Sequence, residues 1–203
     1  MLKRYSIYTE DEVINCDISF DSTRVLVVTK KYEYHYCVTM FNIQTYEKTF
    51  EEVVGGDENQ YIKLSCVVQN HYGNQYAITY IDDGKFRIRT FGKEQRTPNE
   101  IIKNEFKINE EIGLDDHTMP NSGFANPYII CCFINDTKLF VALFHNQKFT
   151  HKHFIYDIKE HRIDGKVIDF QIPDTSEENF PVDCFYNDKR DEIYVFYRQG
   201  QSF

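Results

Sequence analysis

The sequence lacks tryptophan, has only nine glycines and five prolines, and contains no apolar run of about eighteen residues. The absence of such a run argues against a membrane-spanning helix. So few glycines and prolines argue against a fibrous or low-complexity chain. The N-terminal segment MLKRYSIYTEDEV has no apolar stretch of about seven residues behind its basic residues, unlike a secretory signal. We therefore expect a cytoplasmic protein without membrane insertion.

Positive charge is also scarce. Lysine and arginine total 23 against 32 aspartates and glutamates, which gives a formal net charge of -9. An acidic chain repels the phosphate backbone, so nucleic acid is an unlikely partner. A reducing compartment would keep the cysteines as free, buried thiols. The sequence contains no CxxC motif, so it does not indicate a redox function. The six cysteines are Cys16, Cys37, Cys66, Cys131, Cys132 and Cys184.

Aromatic residues are abundant. They make up 16% of the chain, with 17 phenylalanines and 15 tyrosines, and hydrophobic residues reach 41%. This is too much apolar material for a disordered chain. Aromatic and β-branched residues favour strands over helices, so the composition predicts an all-β fold.

One phrase occurs twice, as CCFINDTKLFVALF and as DCFYNDKRDEIYVFY. Looser copies begin near Cys16 and Cys66, so four units are anchored at Cys16, Cys66, Cys132 and Cys184. In each, a short apolar strand enters a turn rich in Asn, Asp, Ser or Gly, and a more hydrophobic strand follows. We interpret the recurring cysteine as a small core residue.

The units span approximately residues 14–54, 61–110, 128–172 and 180–203 of a single domain, with an insertion at about 93–127. Each complete unit contains four strand-like segments in meander order, and Asp82-Asp83-Gly84 is a strong hairpin signal. Repeats of this length, built of short strands, are typical of propeller blades. The sequence therefore predicts a β-propeller, or an open propeller fragment, of four-stranded antiparallel meander blades.

One segment of the second unit has two interpretations. Thr97, Pro98 and Glu100 resemble a helix start, and Ile102 and Phe106 would share one helical face. The repeat instead requires a fourth strand over residues 101–108. Both alternatives stay open at this stage.

The units resemble divergent WD repeats. In that family the third strand of a blade ends in an aromatic residue and Asp, followed by an aliphatic residue and a polar turn. Ile155-Tyr156-Asp157-Ile158-Lys159 fits this pattern, and Met40-Phe41-Asn42-Ile43-Gln44-Thr45 fits it with Asn for Asp. The Gly-His pair of the family and its structural Asp between the second and third strands are missing. The resemblance implies a propeller that serves as a protein interaction scaffold.

Three full units and half of a fourth are present, whereas a closed propeller needs at least about four blades. The chain is therefore expected to be a fragment, or else to complete itself by pairing with another chain. The opening LKRYSIYT is a candidate outer strand.

Residue patterns for chemistry are weak. His151 and His153 share one face of a strand and form the only metal-like pair, and we interpret them as exposed histidines without a metal. No phosphate loop, dinucleotide fingerprint or nucleophile motif is present. We expect no enzyme activity and no cofactor.

Two basic groups of residues are candidates for partner contacts. Lys85, Arg87 and Arg89 alternate with apolar residues along one strand, and Lys30-Lys31-Tyr32 forms a basic-aromatic segment. Such surfaces suit an acidic or phosphorylated peptide, while the alternative is an ordinary solvated face. The sequence thus predicts a non-catalytic interaction scaffold in a larger assembly. The alternatives are a structural subunit of a large complex and a peptide or phosphopeptide recognition module.

Overall fold

The computed structural model describes residues 10–19, 21–32, 35–55, 62–71, 75–82, 85–93, 101–107, 128–145, 150–170 and 180–198. These residues form fourteen β-strands, and no helix occurs among them. Within the same ranges, nothing helical has the length and apolar character needed to cross a membrane.

The strands form three four-stranded antiparallel sheets and one two-stranded sheet, each in simple meander order. The first blade contains β1 (Glu12–Ile18), β2 (Arg24–Tyr32), β3 (His35–Asn42) and β4 (Lys48–Gly55). The second contains β5 (Ile62–Gln69), β6 (Gln75–Asp82), β7 (Lys85–Lys93) and β8 (Ile101–Lys107). The third contains β9 (Tyr128–Asn135), β10 (Lys138–His145), β11 (Thr150–Asp157) and β12 (Arg162–Phe170). The last sheet, here called the half-blade, contains β13 (Phe180–Asn187) and β14 (Glu192–Arg198).

The predicted architecture of antiparallel meander blades is confirmed. The open question over residues 101–108 is answered in favour of the strand, because β8 pairs with β7 from Ile101 to Lys107. The proposed helix start at 97–100 lies outside the described residues.

Three hydrophobic cores lie between consecutive sheets. Alternation along each strand sends one set of side chains to the preceding blade and the other set to the next. Leu26 and Val28 of the first blade meet Ile78 and Tyr80 of the second, and all four are almost fully buried. A fully buried side chain of this kind stabilises the fold by about 1.5–3 kcal/mol relative to an exposed one. The second core joins the second and third blades, and the smaller third core joins the third blade to the half-blade.

The turns between third and fourth strands use the Asn or Asp that the sequence pattern selected. Asn42 Oδ1 accepts hydrogen bonds from the backbone N–H groups of Gln44 and Thr45, at 2.8 and 3.1 Å. Asp157 Oδ1 accepts the same two bonds in the third blade, each at 2.9 Å. These bonds form Asx turns, which explains why a short polar acceptor ends both strands.

The innermost strands of the first three blades run in the same direction. The backbone N–H of Gln69, at the end of β5, donates to Asp17 Oδ2 near the end of β1 at 2.8 Å. Asn70 Nδ2 donates to Asp136 Oδ1, just beyond β9, at 2.8 Å. The turns that follow the inner strands therefore meet on one side of the molecule, which we call the turn face.

The prediction that all four recurring cysteines fill the core is wrong at Cys16, which is exposed. Cys16 pairs with Val27 on the face of the first blade that points away from the second. Cys132 and Cys184 are buried together in the third core, and Cys66 is partly buried. The repeat position therefore predicts the strand but not the burial of its thiol.

Candidate interaction site at the turn face

A cavity of about 590 Å³ opens where the inner strands β1, β5, β9 and β13 end. Four carboxylates from the first blade, the third blade and the half-blade line it: Asp17, Asp136, Asp183 and Asp188. Apolar side chains, among them Ile18, Phe133 and Phe185, form other parts of its wall. The cavity thus combines negative charge with hydrophobic surface.

Asp17 is the most enclosed of the four carboxylates. Burial, and to a smaller degree the charge of Asp183, raise the pKa of Asp17, while hydrogen bonds from the backbone N–H groups of Gln69 and Ile18 act in the opposite direction. The influence of Asp183 shows that negative charge from the half-blade reaches the first blade. A cationic group entering the cavity would relieve this repulsion.

Hydrogen bonds between blades hold the cavity wall in place. Besides the two contacts of Gln69 and Asn70 described above, Gln69 Nε2 donates to the backbone oxygen of Asp17 at 2.8 Å. Gln69 is 8% exposed and Asn70 is 1% exposed. Because these bonds join turns that are far apart in sequence, the turn face is a preorganised surface rather than a set of independent loops.

Sequence reasoning did not identify this cavity, because its carboxylates come from separate units. A weak signal was nevertheless present. Asp17 follows Cys16 and Asp183 precedes Cys184, so both acids flank an anchor of the repeat. Inner strands of a propeller converge, so acids beside this anchor in different units can come close together.

The metal-like histidines lie elsewhere, between the third blade and the half-blade. The interpretation of both as exposed residues is wrong, because His151 is 1% exposed and His153 is half-buried. Its ring lies 5.5 Å from that of Tyr197, and His153 Nε2 lies 3.1 Å from Tyr197 Oη. Burial and the neighbouring His153 lower the pKa of His151 to about 4. Among the described residues, no group of three potential ligands is arranged to hold a metal ion.

The basic residues chosen from the sequence occupy two environments. Arg89 lies between the first two blades, where its Nη1 is 4.0 Å from Glu52 Oε1 and its guanidinium is 5.4 Å from the centre of the Tyr80 ring. Arg87 is half-buried on the same strand face, and the side chain of Lys85 lies outside the described part of the chain.

Lys30, Lys31 and Tyr32 end β2 on the side of the molecule opposite the turn face. Lys31 is exposed and Tyr32 is 68% exposed, with its ring 6.0 Å from that of His35. These three residues form a small basic-aromatic tip, which we call the Lys30–Tyr32 tip. Arg87 and Arg89 belong to β7 of the second blade, whereas the Lys30–Tyr32 tip belongs to β2 of the first.

Comparisons with known proteins identify the fold. No family model matches the sequence, and no curated protein matches it significantly. Among solved structures, the chain is similar to the fission yeast complex of the SREBP and SCAP binding domains, with a TM-score of 0.50, 9% identity, and coverage of 98% of this chain and 49% of that one.

Two further solved structures are similar. The β-propeller domain of Nup133 from Vanderwaltozyma polyspora gives a TM-score of 0.46 at 13% identity, covering 95% of this chain and 55% of that one. The β-propeller domain of the Trilobed protease from Pyrococcus furiosus gives 0.45 at 14% identity, covering 94% and 56%. This chain spans about half the length of the solved chains it resembles. The antiparallel meander blades, together with the likeness to the fission yeast complex, give the described part of the chain an all-β propeller fold.

Proposed function

We propose that the protein is a non-catalytic interaction scaffold of the WD-like propeller type, which acts in the cytoplasm as part of a larger assembly. The turn face carries this proposal. Its turns are joined across blades by short hydrogen bonds, and they surround a cavity with both carboxylates and apolar walls. A rigid, concave surface of mixed character is typical of a binding site for another protein.

The charge of the turn face indicates the kind of partner. Asp183 and Asp188 are exposed beside the more enclosed Asp17, and the whole chain has a net charge of -9. Complementary charge speeds association and selects partners. We therefore propose that the partner inserts a lysine or arginine side chain, from a basic segment, into the cavity.

The experiment compares partner recovery by the tagged wild-type chain and by a double variant, Asp183→Asn with Asp188→Lys. We expect the double variant to lose a defined set of partners at least tenfold, as measured by quantitative mass spectrometry after purification at moderate salt. Both residues are exposed, so the far-ultraviolet circular dichroism spectrum should not change. Unchanged recovery with an unchanged spectrum would refute the assignment of this face.

The Lys30–Tyr32 tip supplies the matched control and tests the peptide-recognition alternative. Lys30→Glu with Lys31→Glu reverses charge on the opposite side of the molecule and should leave recovery unchanged. Loss of phosphorylated partners in this variant alone would favour the phosphopeptide function. Partners that remain bound in high salt would favour a built-in structural subunit, because screening releases contacts between exposed charges.

A further inference from the structure

The second blade has a third strand beside its second strand, whereas the described part of the half-blade has none. In the second blade, β7 pairs with β6 and covers the outermost strand of the preceding blade. Phe91 on β7 lies 5.8 Å from Phe50 on β4, measured between ring centres, and Arg89 approaches Glu52. In the half-blade, β14 pairs with β13, and within the described ranges no strand pairs with the other edge of β14.

The third blade shows the consequence of this difference. Tyr197 of β14 covers β11 through its contacts with His151 and His153. Ile168 on β12 is paired with His153 and so lies on the same face of the sheet, yet it is 59% exposed. A strand added beside β14 would cover Ile168, in the way that β7 covers Phe50.

The other face of the half-blade is also apolar and uncovered. Phe185 and Phe196 are 46% and 48% exposed, and their rings stack at 5.9 Å. Phe185 also stacks on Tyr194 at 5.0 Å. An added strand would therefore find apolar neighbours on both sides. A two-stranded sheet is only marginally stable alone, and its edge is a template for pairing.

We propose that the outer edge of β14 is a strand-addition site, which takes an extended segment of a partner protein as the third strand of this blade. Apolar side chains at alternate positions of the segment would contact Ile168, while backbone hydrogen bonds to β14 would supply affinity. This surface shares only Asp188, in the turn before β14, with the cavity carboxylates of the proposed function. The test below therefore varies Ile168 and leaves Asp188 unchanged.

Charge sets the character and direction of the segment. A third strand in meander order runs antiparallel to β14, so its C-terminal end lies beside the turn before Glu192. Asp188, Asp191 and Glu192 there outnumber Lys189 and Arg190, and the acidic cavity adjoins this turn. The segment that fits best is therefore net positive, with its basic residues at the C-terminal end.

The test uses a fluorescent synthetic peptide in which valine and threonine alternate and which ends in two lysines. We expect saturable binding to the full chain by fluorescence anisotropy, and an affinity at least tenfold lower for Ile168→Lys. The control Tyr32→Lys replaces an even more exposed side chain outside the site and should bind normally. Circular dichroism should show both variants folded, since neither side chain is buried.

Two altered peptides test the mode of binding. A proline at the centre of the peptide removes a backbone N–H and should weaken binding at least tenfold. Two glutamates in place of the lysines should also weaken it, because they face the acidic turn. Equal binding of all three peptides would overturn strand addition.

Other occupants of the edge give different results, and each would overturn the proposal. Peptide binding that appears only after deletion of residues 1–9 would mean that the chain itself occupies the edge. A concentration-dependent dimer that Ile168→Lys dissociates would assign the edge to a second copy. The absence of saturable binding to the wild-type chain would leave the edge without this function.

Discussion

The hairpins β9–β10 and β13–β14 start with the same phrase but place it on opposite faces of their sheets. In the third blade Asn135 pairs with Lys138, so the turn contains two residues, and the register shifts immediately after it. In the half-blade Asn187 pairs with Glu192, so the turn contains four residues. Since side chains alternate along a strand, a shift of one residue reverses the face of every side chain.

The side chains show this reversal. Phe133 packs on the core between the second and third blades, whereas Phe185 points away from the third blade. Cys132 faces the half-blade and Cys184 faces the third blade, so the two equivalent thiols lie in the same core. A repeated phrase thus predicts a hairpin, while the register shift that follows the turn in β9, and has no counterpart there in β13, decides which neighbour each side chain contacts.

The largest expected effect is a difference in unfolding free energy between a buried side chain of the β9–β10 hairpin and an exposed one of the β13–β14 hairpin. Leu139 pairs with Phe133 and is fully buried, so Leu139→Ala should lower the free energy of unfolding by about 3 kcal/mol. Phe185→Ala, on the open face of the half-blade, should lower it by less than about 1 kcal/mol. Urea unfolding at low protein concentration measures both. Equal losses would mean that the two hairpins are buried alike.

The next effect concerns the paired thiols. The hydrogen bond between the Cys132 and Cys184 thiols, together with burial, raises the pKa of Cys184. A thiol that is not ionised reacts slowly. Cys16 is exposed, so maleimide should label it first. An opening free energy of about 3 kcal/mol would slow labelling of Cys132 and Cys184 roughly 100-fold relative to Cys16. Peptide mass mapping over time gives the three rates, and similar rates would contradict the contact.

The smallest effect is a pH dependence at the interface between the third blade and the half-blade, where β11 contacts β14. The pKa of His151 falls from 6.5 to about 4 on folding, because the ring is buried and lies beside His153. A lowered pKa means that the unfolded chain binds the proton more strongly. The contribution of His151 to stability is therefore complete above pH 6.5 and is lost progressively as the pH falls towards 4.

Thermal unfolding across that pH range measures this contribution. His151→Phe keeps a ring against Tyr197 and should flatten the decline in melting temperature. His161→Gln, which changes an exposed histidine, is the histidine control. Identical slopes in all three proteins would show that His151 does not titrate in this interface.

Local signals account for the part of the fold that the sequence predicts. Asn42 and Asp157 end strands because their side chains accept backbone hydrogen bonds within the same turn, so a short segment contains all the information. Alternation of Phe86 and Ile88 with arginines places β7 correctly, because both apolar residues are buried. Helix and strand could not be distinguished at 101–107, where a capping pattern competed with the repeat.

Contacts between blades account for what the sequence could not predict. Strand alternation groups Arg89 with Lys85 and Arg87, and its contact with Glu52 is not predicted because Glu52 lies in another unit. The repeat makes Cys16 equivalent to Cys132, yet of these two only Cys132 is buried against a neighbouring sheet. The cavity forms only where the ends of four strands converge, so no single segment of the sequence predicts it.

The confinement of each core to two consecutive sheets has a mechanical consequence. Held by its two ends and stretched, the molecule would not rupture at once, because no single core joins all the sheets. The half-blade rests on the smallest of the three cores and would detach at the lowest force. The first and third blades would then separate from the second, so a force–extension trace should show several steps of unequal height.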